Sequence, residues 1–216
     1  MNRFHFDVDE AFAKQHNEML RDTRKVTISG ISLFVICVVA AVLLWTLTPD
    51  NSAWGWFGVI GLIPFGIVML IVGLMVPRSV GGAQELYDRY PLAPAVIAEV
   101  NPRDMVLMAL VNINVDETLP PKYAAALRTV SSIPGVDDPK SGMKVPSVAV
   151  GGRRTTRDKD HWQEVTPMPI AWATPDEDVV KEARAAIPQE QWHKLNKARA
   201  KLDDVKATPM NLLPLD

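Results

Sequence analysis

The sequence predicts a membrane protein: an N-terminal transmembrane α-helical hairpin followed by a cytoplasmic α+β domain, a small β-barrel-like sheet with C-terminal helices. Three observations carry this prediction. Two uncharged stretches, Val26 to Pro49 and Trp54 to Pro77, sit early in a chain of 216 residues. Cations flank the pair and are missing from the turn between them. The remainder is nearly charge-neutral and reads as short strands broken by turn residues, then as amphipathic helices. The chain divides into four segments: an amphipathic cytoplasmic helix in 1–25, the hairpin in 26–77, a β-rich domain in 78–175, and C-terminal helices with an apolar tail in 176–216.

Before the first apolar stretch, Asp7 is a good helix N-cap and Glu10 stands at capping-box spacing from it. Val8 to Thr23 lacks Gly and Pro, and Phe12, Met19 and Leu20 form its apolar side. His5 and His16 stand alone, with no second ligand at metal spacing.

Each uncharged stretch is about 23 residues, enough to cross a ~30 Å hydrocarbon core. Only Asp50-Asn51-Ser52-Ala53 separates them. The first starts too late and runs too long for a cleaved signal peptide. Arg21, Arg24 and Lys25 precede the pair and Arg78 follows it, so the positive-inside rule places both termini in the cytoplasm and the protein in the inner membrane. Trp45, Trp54 and Trp56 then gather at the outer interface. No Asp, Glu, Lys, Arg or His lies inside either stretch, whereas ion pathways and proton relays need such groups. Gly55, Gly58, Gly61, Gly66 and Gly73 permit close approach of a helix, either within the hairpin or from another subunit. Pro64 is a candidate kink, and Cys37 reads as a small packing residue.

From Arg78 onward the chain carries 18 Lys+Arg and 19 Asp+Glu. Ala95–Val100, Met105–Val115, Arg128–Ile133, Val145–Val150, Arg153–Arg157, Trp162–Val165 and Ile170–Trp172 are strand candidates, with a helical turn at Lys122–Leu127 after Pro120-Pro121. Pro146, Pro167 and Pro169 assign their strands to edges or strand ends. Thr174 and Pro175 open a helix with Val179, Val180, Ala183 and Ile187 on its apolar face. Pro188 opens a second helix reaching about Ala207, and the apolar end from Pro209 to Leu215 is expected to tuck into a groove on this domain or on a partner.

The charge balance, 23 Lys+Arg against 25 Asp+Glu, excludes a generally basic nucleic-acid binder. One cysteine excludes an internal disulfide and a multi-cysteine metal site. The sequence assigns no catalytic, cofactor-binding or metal-binding residue. The cluster from Arg153 to Trp162 reads first as a solvated hairpin tip; His161 with a neighbouring carboxylate is the acid/base candidate of an enzyme reading. Arg153, Arg154, Arg157 and Lys159 are candidate contacts to anionic lipid headgroups.

The block from Tyr87 to Asp104, and the pair Asp160–Glu164 and Pro167–Trp172, resemble a corynebacterial family of two-span membrane proteins carrying a domain of unknown function. The resemblance covers nearly the whole chain and transfers no catalytic residue. It implies an actinobacterial membrane and a mycolic-acid envelope. By analogy of size and topology it implies a non-enzymatic accessory or assembly subunit of an integral membrane complex in the lipid bilayer. The respiratory cytochrome bc–oxidase supercomplex is the first such complex, with an accessory role in mycolate-type lipid export as the alternative.

Overall fold

A computed structural model of the chain describes residues 4–48, 55–56 and 58–215, with 77–80 described by their backbone alone. The elements in chain order are α1 (Glu10–His16), α2 (Glu18–Leu47), a π-helical turn (Gly58–Leu62), α3 (Ile63–Val80), α4 (Ala83–Arg89), β1 (Leu92–Val100), β2 (Met105–Asn112), β3 (Tyr123–Val130), β4 (Lys144–Gly151), β5 (Val165–Pro169), α5 (Glu177–Ala186), α6 (Gln189–Ala198), α7 (Leu202–Lys206) and β6 (Leu212–Pro214). They form two compact units: Glu18–Gly82 is one, and Met1–Asn17 with Ala83–Asp216 is the other.

In the first unit α2 and α3 run antiparallel. Gly30 meets Gly73, Cys37 meets Gly66, and Leu44 meets Gly58, so numbers rise on one helix as they fall on the other. Two helical runs, Glu18–Leu47 and Gly58–Val76, the latter including the π-helical turn, are long and apolar enough to cross a membrane. Their outward side chains are large and exposed, among them Val35, Ile36, Val39, Val68, Ile71 and Met75. The helix carrying the first apolar stretch begins at Glu18 rather than Val26, because nothing between them breaks it. The expected helix in 1–25 is therefore divided at Asn17, whose backbone is extended. Its cap is Asp9, which accepts from the Phe12 amide at 2.9 Å, rather than Asp7. Pro64 lies inside a helical run that is continuous from Gly58 to Val80, directly after the π-helical turn, where the backbone bonding departs from the α pattern. Trp45 and Trp56 meet edge-on, ring centroids 5.2 Å apart. Trp54 and the turn Asp50–Ala53 lie outside the described residues.

The second unit is a six-stranded antiparallel sheet of order β5-β4-β1-β2-β3-β6. It curls, so that β2 and β3 come against β5 with no ladder joining them. The inner surface explains the curl: Ala93, Ala95, Ala109, Ala124, Ala126 and Ala149 carry side chains small enough for a tight radius. The opposite surface is covered by helices, α5 on β4 and α6 on β1 and β2. β2 is consequently buried along its whole length, as its continuous apolar run predicts.

Several expected boundaries are corrected. Lys122–Leu127 is not a helical turn; Tyr123–Leu127 belongs to β3, paired with β2 from Asn112↔Tyr123 to Met105↔Val130. The helix propensity of Ala124-Ala125-Ala126 gives way to ladder bonds and burial. The expected strands Arg153–Arg157 and Trp162–Val165 are replaced by a long loop and by β5, while Ile170–Trp172 forms a 3-10 turn. β4 is an interior strand despite Pro146. Pro146 stands opposite Pro94 on β1, and the β4–β5 ladder reaches only Ser147↔Pro169, so the residue without an N–H falls just beyond it. β5, which holds Pro167 and Pro169, is an edge strand as predicted. The cap of α5 is Asp176, accepting from the Asp178 amide at 2.8 Å, rather than Thr174. The second helix stops at Ala198 and resumes as α7. The apolar tail does find a place on this domain: Met210 and Asn211 turn through left-handed backbone, and Leu212–Pro214 pairs with β3 as β6.

The N-terminal arm is tied to α4 and β5. Gln84 accepts from the Val8 amide at 2.9 Å and donates to the Phe6 carbonyl at 2.9 Å. Tyr87, fully buried, donates to the Pro169 carbonyl at 2.9 Å and receives the Asn17 amide at 3.2 Å. Burial pushes the Tyr87 hydroxyl far above the ordinary tyrosine range, so it remains a donor. His5 closes the arm at the surface, 2.7 Å from Asp88. The hydrogen bond to Asp88 raises the His5 pKa, and the same bond lowers that of Asp88. The histidine contribution is complete below its unfolded value of 6.5 and is lost as pH rises through the raised folded value. The aspartate contribution is complete above 3.8 and is lost as pH falls through the lowered folded value. Both contributions are complete between 3.8 and 6.5, so the arm is held best at mildly acid pH. NMR titration of the full chain should find His5 titrating above the ordinary histidine value, and Asp88→Asn should return it there. An unshifted His5 in the native chain would remove this contact.

Candidate functional site

Three places carry the candidate residues. The first is the helix seam. A Cβ on Gly66 would lie 3.0 Å from Cys37 Cβ and one on Gly73 would lie 3.2 Å from Gly30 Cα, so these glycines are occupied within the hairpin. Gly58 faces Leu44 as tightly, at 2.9 Å. Gly55 makes only ordinary contact, 3.6 Å to Thr48 Oγ1. Gly61 differs: no described atom lies within 4 Å of its Cβ position. Of the two readings open for Gly58 and Gly66, the described residues show packing within the hairpin, since Leu44 and Cys37 stand against them. Gly30 was not among the predicted packing residues, yet it makes the tightest approach, 2.8 Å to the Met69 carbonyl oxygen. The signal was the seven-residue spacing, Gly30 to Cys37 on one helix and Gly66 to Gly73 on the other, which keeps small residues on one face.

The second place is the loop between β4 and β5. It folds over one end of the sheet: the Trp162 amide donates to the Ile113 carbonyl at 2.7 Å, and the Val115 amide to that of Asp160 at 2.8 Å. Trp162 packs against the small-residue surface inside the curl. Gly151 makes room for it, since a Cβ there would stand 2.7 Å from the indole. Arg154 stacks on the outer side of that ring, 4.8 Å from its centroid. Arg153, Arg157 and Lys159 are also exposed, interleaved with Asp158 and Asp160. His161 Nδ1 lies 3.0 Å from Asp158 Oδ2. Asp158 also accepts from the Asp160 and His161 amides, both at 3.1 Å. Partial burial works against the Asp158 charge, but the His161 ring and the two amides outweigh it and lower its pKa. These bonds close the loop on itself, as in an Asx turn.

The third place was not assigned from sequence. Between α6, the turn after it, and the β2–β3 surface lies a groove of ≈ 480 Å³. Leu110, Pro121, Ala198 and Leu215 contribute apolar floor and Lys122, Lys194, Lys197 and Lys201 line it. Lys194 pairs with Glu190 at 2.9 Å and covers the Tyr123 ring at 5.0 Å. Among the described residues, Lys122, Lys197 and Lys201 meet no carboxylate. The sequence did hold a signal, lysines at i, i+3 and i+7 on one helical face. It was obscured because Lys122 and Leu215 reach the groove only through strand pairing.

Residues 78–203 match a family model described as a protein of unknown function, DUF3239. The chain belongs to the DUF3239 family. The match begins directly after the second apolar stretch and takes in strands β1 to β5 with α5 and α6. No curated protein matches this DUF3239 chain. It is similar to a crystal structure of a "putative membrane protein" from Corynebacterium diphtheriae, with 54% identity and a TM-score of 0.56, covering 58% of this chain and 100% of that one. The two exposed apolar helices and this neighbour point to a membrane location.

Proposed function

We propose that this DUF3239 chain is a non-enzymatic accessory or assembly subunit of a larger integral-membrane complex in an actinobacterial inner membrane. The respiratory cytochrome bc–oxidase supercomplex is the complex to test first. The observation that carries the reading is Gly61. It lies in a π-helical turn with open space where its Cβ would be, beside an Ile60 that is 66% exposed, while the neighbouring Gly58 and Gly66 are filled from inside the hairpin. Such a bare helical surface suits close packing by a helix of another protein. The Corynebacterium neighbour supports the actinobacterial setting. Flanking cations support cytoplasmic termini: Arg21, Arg24 and Lys25 before the hairpin, Arg78 after it.

The test is purification of the tagged full chain from its native membrane in mild detergent, with mass spectrometry of the proteins that accompany it. The expected result is a stoichiometric integral-membrane partner whose recovery falls about tenfold, on the order of 1.4 kcal/mol, in Gly61→Leu. Cytochrome subunits would identify the respiratory complex. A free monomer, or recovery unchanged in Gly61→Leu, would overturn the reading.

The groove with its apolar floor and lysine edge favours a second reading, an accessory role in export of mycolate-type lipids. Unaltered envelope lipids in a deletion strain would remove it.

A further inference from the structure

We infer that the groove between α6 and the β2–β3 surface binds an anionic single-chain amphiphile, its charged head at the lysines and its alkyl part on the apolar floor. This inference stands apart from the subunit reading and rests on three features of the groove. Its volume of ≈ 480 Å³ is in the range of small-molecule sites and too small for a folded partner. Its floor has two layers of origin: Leu110 belongs to buried β2 and Ala198 to the packed face of α6, so it is rigid, and Leu215 follows β6 at the open side. Three of its four cations meet no carboxylate among the described residues. Lys194 is bound to Glu190, and its ammonium lies over the Tyr123 ring. Lys197 and Lys201 succeed it at helical spacing and Lys122 approaches from the strand side, all three exposed and meeting no carboxylate among the described residues.

Lysines spread along a solvated helix face ordinarily repel one another, and carboxylates at i±4 relieve this. Glu190 does so for Lys194. Lys197 has no carboxylate three or four residues to either side, and Lys201 has only Asp204, three residues on, with which it forms no ion pair among the described residues. An anion held among Lys122, Lys197 and Lys201 would supply the relief. A purely polar anion such as inorganic phosphate would use the lysines and leave the floor in water. A neutral alkyl chain would use the floor and leave the lysines unpaired. An amphiphile with one anionic head and one short chain uses both.

The test titrates the full chain, in nanodiscs of zwitterionic lipid, with hexyl phosphate, inorganic phosphate and hexanol by calorimetry, with empty nanodiscs as the blank. Hexyl phosphate should bind at least about tenfold more tightly than either fragment, and raised salt should weaken it. The triple variant Lys122→Gln, Lys197→Gln, Lys201→Gln alters exposed side chains only and should lose at least about tenfold in affinity with an unchanged melting temperature. Leu215→Ser should lower affinity for hexyl phosphate and leave inorganic phosphate unaffected. Repeating the titration with phosphatidylglycerol in the nanodisc distinguishes the natural sources: competition identifies a bilayer lipid, and its absence a soluble ligand, both in agreement with the inference. Equal binding of hexyl phosphate and inorganic phosphate would overturn it, as would full binding by the triple variant.

Discussion

Trp172→Ala should destabilise the sheet unit by about 3–5 kcal/mol. Trp172 is wholly inaccessible, in the 3-10 turn directly after β5. Its indole N–H donates to the Ser132 carbonyl at 2.9 Å, and the Arg128 guanidinium covers the ring at 4.9 Å. Alanine removes the packed volume, the donor and the stacking surface together. Because Ser132 lies in the loop after β3 and Trp172 in the turn after β5, the bond ties together the ends of two strands that share no ladder. Trp172→Phe keeps most of the apolar area and loses the donor, so about 1–3 kcal/mol should be lost instead. Chemical denaturation of the full chain in nanodiscs, monitored by far-UV circular dichroism, measures both. Domains of this size hold about 5–15 kcal/mol, so the alanine variant should be near the limit of folding at 37 °C. A loss below about 1 kcal/mol for Trp172→Ala would contradict the packing described.

Gly30→Leu should separate the hairpin helices. A Cβ at position 30 would stand 2.8 Å from the Met69 carbonyl oxygen and 3.0 Å from Gly73 Cα, both main-chain atoms. Main chain inside a helix cannot rotate away as a side chain can, so the whole helix must move. Gly30→Ala should cost about 1–3 kcal/mol, and Gly30→Leu more, with a measurable increase in the distance between spin labels on α2 and α3. Gly61→Leu is the internal control, because no described atom lies near its Cβ position and the hairpin should be unaffected. Equal inter-helix distances in Gly30→Leu and the native chain would show that the seam is elsewhere.

These variants also mark where sequence reasoning succeeded and where it stopped. The two apolar stretches were legible because a span needs only length and the absence of charge, both properties of consecutive residues. β2 was legible for the same reason, as an unbroken apolar run. β3 was not: Ala124-Ala125-Ala126 favours a helix locally, and only the facing row of β2 makes it a strand. The Trp162 loop was misread because its apolar residues resemble a strand, while Asp158 closes the segment on itself and Trp162 is held by the Ile113 carbonyl on a distant segment. The candidate loop cations were found as a cluster. The glycine seam was found only in part, and the lysine groove was missed.

By itself the sequence determined the apolar helices, the strand-rich character of the region after them, and the helical C-terminal segment. Each of these arises from periodicity, charge and turn chemistry among near neighbours. The tertiary structure alone decided the strand order, the curl of the sheet around small side chains, the choice of Gly30 over Gly61 for hairpin contact, and the meeting of Lys122 with Lys197 and Lys201. Those depend on which distant segments exclude water from one another. That is settled by the packing of complementary surfaces, which no window of neighbouring residues encodes.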